Sequence, residues 1–173
     1  MNITQSYEQV KPHVFYLHID NDFTKTEIQE IYNAGNLWTK ASNGMIEFKF
    51  DIRPVEMNLS HMDKMKDNIW RAKLNTKSFN AFENSIANIP VVGYAPPNKY
   101  IVIVPELIGK NKKFFETVVA HELGHHIGLT HTPAIMDSLP RTPCITHFDL
   151  EQVCSRYDCS AKVKNKLDQT CLP

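Results

Sequence analysis

His121-Glu122-Leu123-Gly124-His125-His126-Ile127-Gly128-Leu129-Thr130-His131 is the stretch that decides how this chain is read. It supplies three histidines, a carboxylate and a glycine in the order a catalytic zinc site requires. Residues four apart on an α-helix lie on nearly one face, about 6 Å apart along the axis. His121 and His125 can therefore aim their imidazoles at one ion. Glu122 projects toward that ion from the flank, placed to handle a zinc-bound water rather than to bind the metal. A continuing helix would carry His131 about 15 Å beyond His121 and onto another face. The helix therefore has to stop, and Gly128 is where it can, because glycine accepts the left-handed conformation that ends helices. The chain then turns back to deliver His131 as third ligand. Three protein ligands leave a fourth position open, which marks a catalytic rather than a closed structural zinc site, and one zinc ion is the expected cofactor. A bare pair of histidines four apart is weak evidence. The five-residue pattern arises by chance in on the order of one in ten million windows, so zinc chemistry outweighs two surface histidines on a helix.

Composition fits an enzyme of one domain, residues 1–173. The chain is 42% hydrophobic and 22% charged, enough for a sizeable core. Nineteen basic residues balance nineteen acidic ones, which argues against a nucleic-acid or anionic-membrane partner. No apolar run approaches the roughly 20 residues of a membrane span. No signal peptide is visible in the polar residues 1–11. All four cysteines, Cys144, Cys154, Cys159 and Cys171, fall near the C-terminal end. Two disulfides stapling a small subdomain are the favoured reading, with an exported protein as its consequence. Thiolate binding of a second zinc, without CxxC spacing, and four reduced cysteines in a cytoplasmic protein are the alternatives.

Residues 14–19 read as a buried strand. Thr24-Lys-Thr-Glu27 resembles a capping box opening a helix that ends near Lys40. Ile46, Phe48, Phe50 and Ile52 alternate with charged residues, a half-buried strand. Ser60 to Asp63 is expected to cap a helix reaching Leu74, with Met62, Met65 and Ile69 on one side. Residues 75–89 are polar and expected as a long loop. Val91, Val92, Gly93, Tyr94 and Ala95 read as a short strand ended by Pro96 and Pro97, and residues 100–104 as a central strand. The histidine helix is expected over 111–127. A loop spans 138–145, and Thr146 opens a last helix with Leu150, Val153 and Tyr157 facing inward. His126 falls away from the zinc face and is expected at the surface or in packing; His13, His18, His61 and His147 lack partners at ligand spacing.

The histidine pattern is followed, after Thr132-Pro133, by Ala134-Ile135-Met136-Asp137. A methionine in a tight turn just past the third ligand resembles the Met-turn of metzincin peptidases. Thr132 after the third histidine, the short gap to Met136, and Ser138 where other subfamilies carry a tyrosine are similar to the matrixins. The resemblance implies an α+β fold with α/β character: a twisted mixed sheet, a backing helix, the active-site helix and a small C-terminal part with one helix. The cleft would divide residues 1–131 from 132–173. The chain departs from matrixins in lacking a PRCGxPD-type cysteine switch and a usual calcium loop. His61 and Asp63 open a structural-zinc pattern that no following histidines complete, and residues 56–90 align with nothing in the family.

The resemblance further implies that a strand edge holds substrate by backbone hydrogen bonds, and the best match is Val91 to Ala95, with Gly93 allowing close approach. Leu139, Pro140 and Ile145 would wall a pocket accepting an apolar residue just after the cut bond, and Met136 would form an apolar floor beneath the imidazoles. The expected activity is a metalloendopeptidase acting on a protein or peptide substrate, as a monomer, with Glu122 as general base. A zinc-binding interaction module without useful peptidase activity, or a zinc hydrolase acting on another amide, are the alternatives.

Overall fold

A computed structural model describes residues 11–86, 91–132, 135–137 and 144–158. Five strands form one mixed sheet: β1 (His13–Asp20), β2 (Ile46–Arg53), β3 (Asn68–Arg71), β4 (Gly93–Tyr94) and β5 (Ile101–Ile103). Their order is β2-β1-β3-β5-β4. β1 pairs parallel with β2 and β3, and β3 parallel with β5, while β4 alone runs antiparallel, on β5 at the far edge. Helix α1 (Lys25–Ala41) carries the expected capping box: Glu27 N–H donates to the Thr24 hydroxyl and Thr24 N–H to the Glu27 carboxylate.

Two expectations fail. Residues 60–74 do not form a helix. A short 3-10 stretch (Leu59–Met65) is followed by Asp67 at φ 62, which no right-handed helix accommodates, and then by β3. Ile69 and Trp70 enter opposite faces of the sheet, so β3 is buried on both sides and shows no polar alternation to read. β3 is the middle strand of the five, and β5 lies inside the sheet between β3 and β4, as expected of a central strand. Residues 75–89 are not simply a loop, since α2 (Lys77–Ser85) opens on Thr76, whose hydroxyl accepts from Phe79 N–H. Phe79 and Phe82, three apart, give α2 its buried stripe.

These two elements explain the stretch that aligned with nothing. One apolar cluster lies between the sheet and helices α1 and α4 (Lys112–His126), around Leu17, Trp38, Ile101 and Leu123. A second lies on the opposite face, where Trp70, Phe79, Phe82 and Tyr100 cover the sheet. Tyr94 of β4 packs against that second cluster, its ring 5.7 Å from Phe82. The edge strand is thus braced from behind. A short α3 (Pro105–Ile108) precedes α4, and α5 (His147–Tyr157) follows the histidine segment with its own Thr146–Asp149 capping box.

Candidate metal centre and active site

α4 starts on Asn111, whose side chain accepts from Phe114 N–H, and it ends as the glycine requires. Gly128 sits at φ 90, its N–H donating to His125 O (2.8 Å), while Leu129 N–H donates to Gly124 O (2.9 Å). That pair of bonds is a Schellman motif, and it reverses the chain within five residues of the helix end.

His121, His125 and His131 come together, their ligand atoms all within 4.8 Å of one another. His121 is buried, His125 half-buried and His131 exposed. His121 Nδ1 lies 2.7 Å from Ile135 O, and His125 Nδ1 lies 2.9 Å from Leu129 O. A carbonyl only accepts, so each Nδ1 carries the proton and each Nε2 presents a lone pair. Burial pushes the His121 imidazole down to about 4, with neighbouring His125 and His131 adding to the effect, and burial likewise lowers His125. Neutral imidazole is the form that binds metal.

The spacing can be tested against an ion. Two nitrogens on a tetrahedral zinc at about 2.0–2.1 Å stand about 3.3 Å apart. His125 Nε2 and His131 Nε2 are 3.2 Å apart. That pair fits zinc, and His121 brings its ligand atom within 4.8 Å of both.

Glu122 is buried, and its Oε2 has no hydrogen-bond partner among the described residues. Burial pushes its carboxyl up to about 8. Burial without a partner is costly for a carboxylate, and a neighbouring cation would offset that cost. It also lies directly under the edge strand. A Cβ placed on Gly93 would meet Glu122 Oε1 at 2.6 Å and Cγ at 2.8 Å. The close approach expected at Gly93 is therefore an approach to Glu122.

The turn after His131 is closed by Thr132 N–H donating to Met136 O (3.0 Å). Met136 is fully buried, and a Cβ on Gly124 would fall within its sulfur's van der Waals shell and 3.0 Å from Trp38 Cζ2. Trp38 Nε1–H donates to Ala120 O (2.8 Å), pinning α4 one residue before His121. Sequence reasoning missed these supports. It also gave Asp149 no role. Asp149 is fully buried and accepts from Thr146 N–H (2.8 Å), the Thr132 hydroxyl and the Met136 backbone.

The other expected residues separate. Gly93 and Tyr94 pair with Ile103 and Val102, Val92 O accepts from Val104 N–H (2.9 Å), Val91 packs into the second cluster and Ala95 into the main one. Ile145 is buried in the main cluster, while Leu139 and Pro140 lie outside the described residues. His126 is buried, with Nε2 3.5 Å from Asp67. Neither Cys144 nor Cys154 is a free thiol, and Cys159 and Cys171 lie outside the described residues. No helix among the described residues is long and apolar enough to cross a membrane.

No family model and no curated protein matches the chain. Among solved structures, a match is High choriolytic enzyme 1, a hatching enzyme zinc-protease from Oryzias latipes (Medaka fish), at a TM-score of 0.37 and 15% identity. It covers 69% of this chain, which spans 46% of that one. A superposition this loose establishes no shared activity.

Proposed function

We propose that this chain is a zinc-dependent endopeptidase of metzincin type. The observation that carries the reading is the convergence of three imidazoles around a point beside a buried carboxylate whose Oε2 has no partner among the described residues. His121, His125 and His131 would hold the ion. Zinc bound there supplies a Lewis acid and an acidic water at neutral pH. Glu122 is the general base: its carboxylate takes up a proton during attack on the peptide carbonyl and delivers one to the leaving nitrogen. The backbone of residues 91–95 at the sheet edge would receive the substrate as an added strand, which brings the scissile bond over Glu122. Thr132 and the short gap to Met136 support a matrixin-like subtype. An apolar preference just after the cut bond rests on the residue types of Leu139 and Pro140 alone, since Ile145 is fully buried in the core. The clustered cysteines support an exported protein.

The test is casein cleavage together with zinc analysis. Wild type should hold about one zinc per chain and cleave casein, lose activity to a chelator, and regain it with zinc. Glu122→Ala should keep zinc and lose about 10²–10⁴-fold in activity. Wild-type turnover by Glu122→Ala, or a zinc-free wild type, overturns the reading.

A further inference from the structure

We propose that Gln152 is the positioning residue for His131, with α5 serving as the clamp that makes the third ligand a ligand; this rests on the zinc reading above. His121 and His125 are fixed twice, by the rigid helix and by an Nδ1–H bond to a backbone carbonyl. His131 has neither support. It lies in irregular backbone beyond the helix, it is exposed, and no described residue accepts from its Nδ1. Its place must be set by the backbone on either side.

That backbone is held by one face of α5. Gln152 Oε1 accepts from Thr130 N–H (2.9 Å) and from the Thr130 hydroxyl (3.0 Å), and Gln152 Nε2 donates to Thr130 O (2.9 Å). One amide therefore satisfies both main-chain groups of the residue before the ligand, as a paired strand would. On the far side Thr132 is tied to Asp149. Upstream, Arg156 donates to Gly128 O (2.9 Å) and Tyr157 to Ile127 O (2.7 Å). Asp149, Gln152 and Arg156 are spaced three and four apart, a single helix face. Leu150, Val153 and Cys154 face the core instead. Only an amide offers both acceptor and donor in this geometry. A glutamate at 152 would keep the size but turn an oxygen toward Thr130 O.

The experiment measures zinc affinity by competition with a chromophoric chelator, alongside melting of the zinc-free proteins. Gln152→Ala and Gln152→Glu should each weaken zinc binding by about 10–100-fold, the usual cost of removing an outer support of a metal ligand. The zinc-free melting temperature should move little, because the bonds lost are exposed. Glu151→Ala, one residue away and exposed, should bind zinc like wild type. Wild-type affinity in both Gln152 variants overturns the clamp and leaves the zinc reading standing. A wild type that binds no zinc overturns both. Should Gln152→Ala fail to fold, the near-isosteric Gln152→Glu carries the comparison.

Discussion

Gly93→Ala should disturb the contact between the edge strand and Glu122, and its sign should depend on that side chain. The added Cβ would lie 2.6 Å from Glu122 Oε1, 2.8 Å from Cγ and 2.9 Å from Cδ, closer than carbon atoms pack. Gly93 is not among the glycines at positive φ, so alanine meets no backbone strain there. The penalty is steric alone, and overpacking of this kind costs about 1–3 kcal/mol. For a domain of this size that lowers the melting temperature by roughly 2–12 °C. The three nearest atoms all belong to the Glu122 side chain beyond its Cβ. In a Glu122→Ala background the clash disappears, and Gly→Ala should instead stabilise by about 0.4–1 kcal/mol through the unfolded chain. The assay is urea unfolding of the four zinc-free proteins of the cycle. Equal effects of Gly93→Ala in both backgrounds would refute the juxtaposition. In the zinc-loaded single variant, displacement of the carboxylate should cut casein turnover at unchanged zinc content.

Four further outcomes are expected. His121→Ala, His125→Ala and His131→Ala should each lose bound zinc by elemental analysis; full retention in all three would sink the ligand assignment. Burial raises the Glu27 carboxyl, but the hydrogen bonds from Arg71 and from Thr24, together with the Arg71 charge, leave its pKa below 4.5. The stabilisation is present above about pH 4.5 and lost as pH falls through the folded value, so Arg71→Met should flatten melting temperature against pH in that acidic window. Met136→Leu should cost less than about 1.5 kcal/mol in urea unfolding while zinc stays bound. Intact mass under denaturing, non-reducing conditions should show loss of four hydrogens from the four cysteines; four alkylatable thiols in freshly isolated protein would overturn the two disulfides.

The site's first layer was legible because it is written in side chains at fixed helical spacing. His121, Glu122 and His125 share a helix that Asn111 opens and Gly128 ends as expected. The supporting layer was not. The groups that orient His121 and His125 are the carbonyls of Ile135 and Leu129, and a carbonyl has no residue identity to read. Trp38 reaches Ala120 across 82 positions, a pairing only the fold creates. In the sheet, β1 and β2 matched their patterns, whereas β3 was mistaken for helix because Met62, Met65 and Ile69 happen to fit a helical stripe. α2 was hidden by polar neighbours, although Phe79 and Phe82 carried its period.

The burial of Met136 has an oxidative consequence. Its thioether is sealed between the backbone at Gly124 and the Trp38 ring, with no exposed surface. A sulfoxide oxygen is polar and bulky, and that crevice offers it no space. Peroxide can therefore reach the sulfur only in moments when the turn lifts off the helix. The rate at which Met136 gains oxygen becomes a clock for that lifting, slowed by anything that ties His131 to its two companions. A molecule caught in the act would carry its oxygen as a wedge and could no longer close.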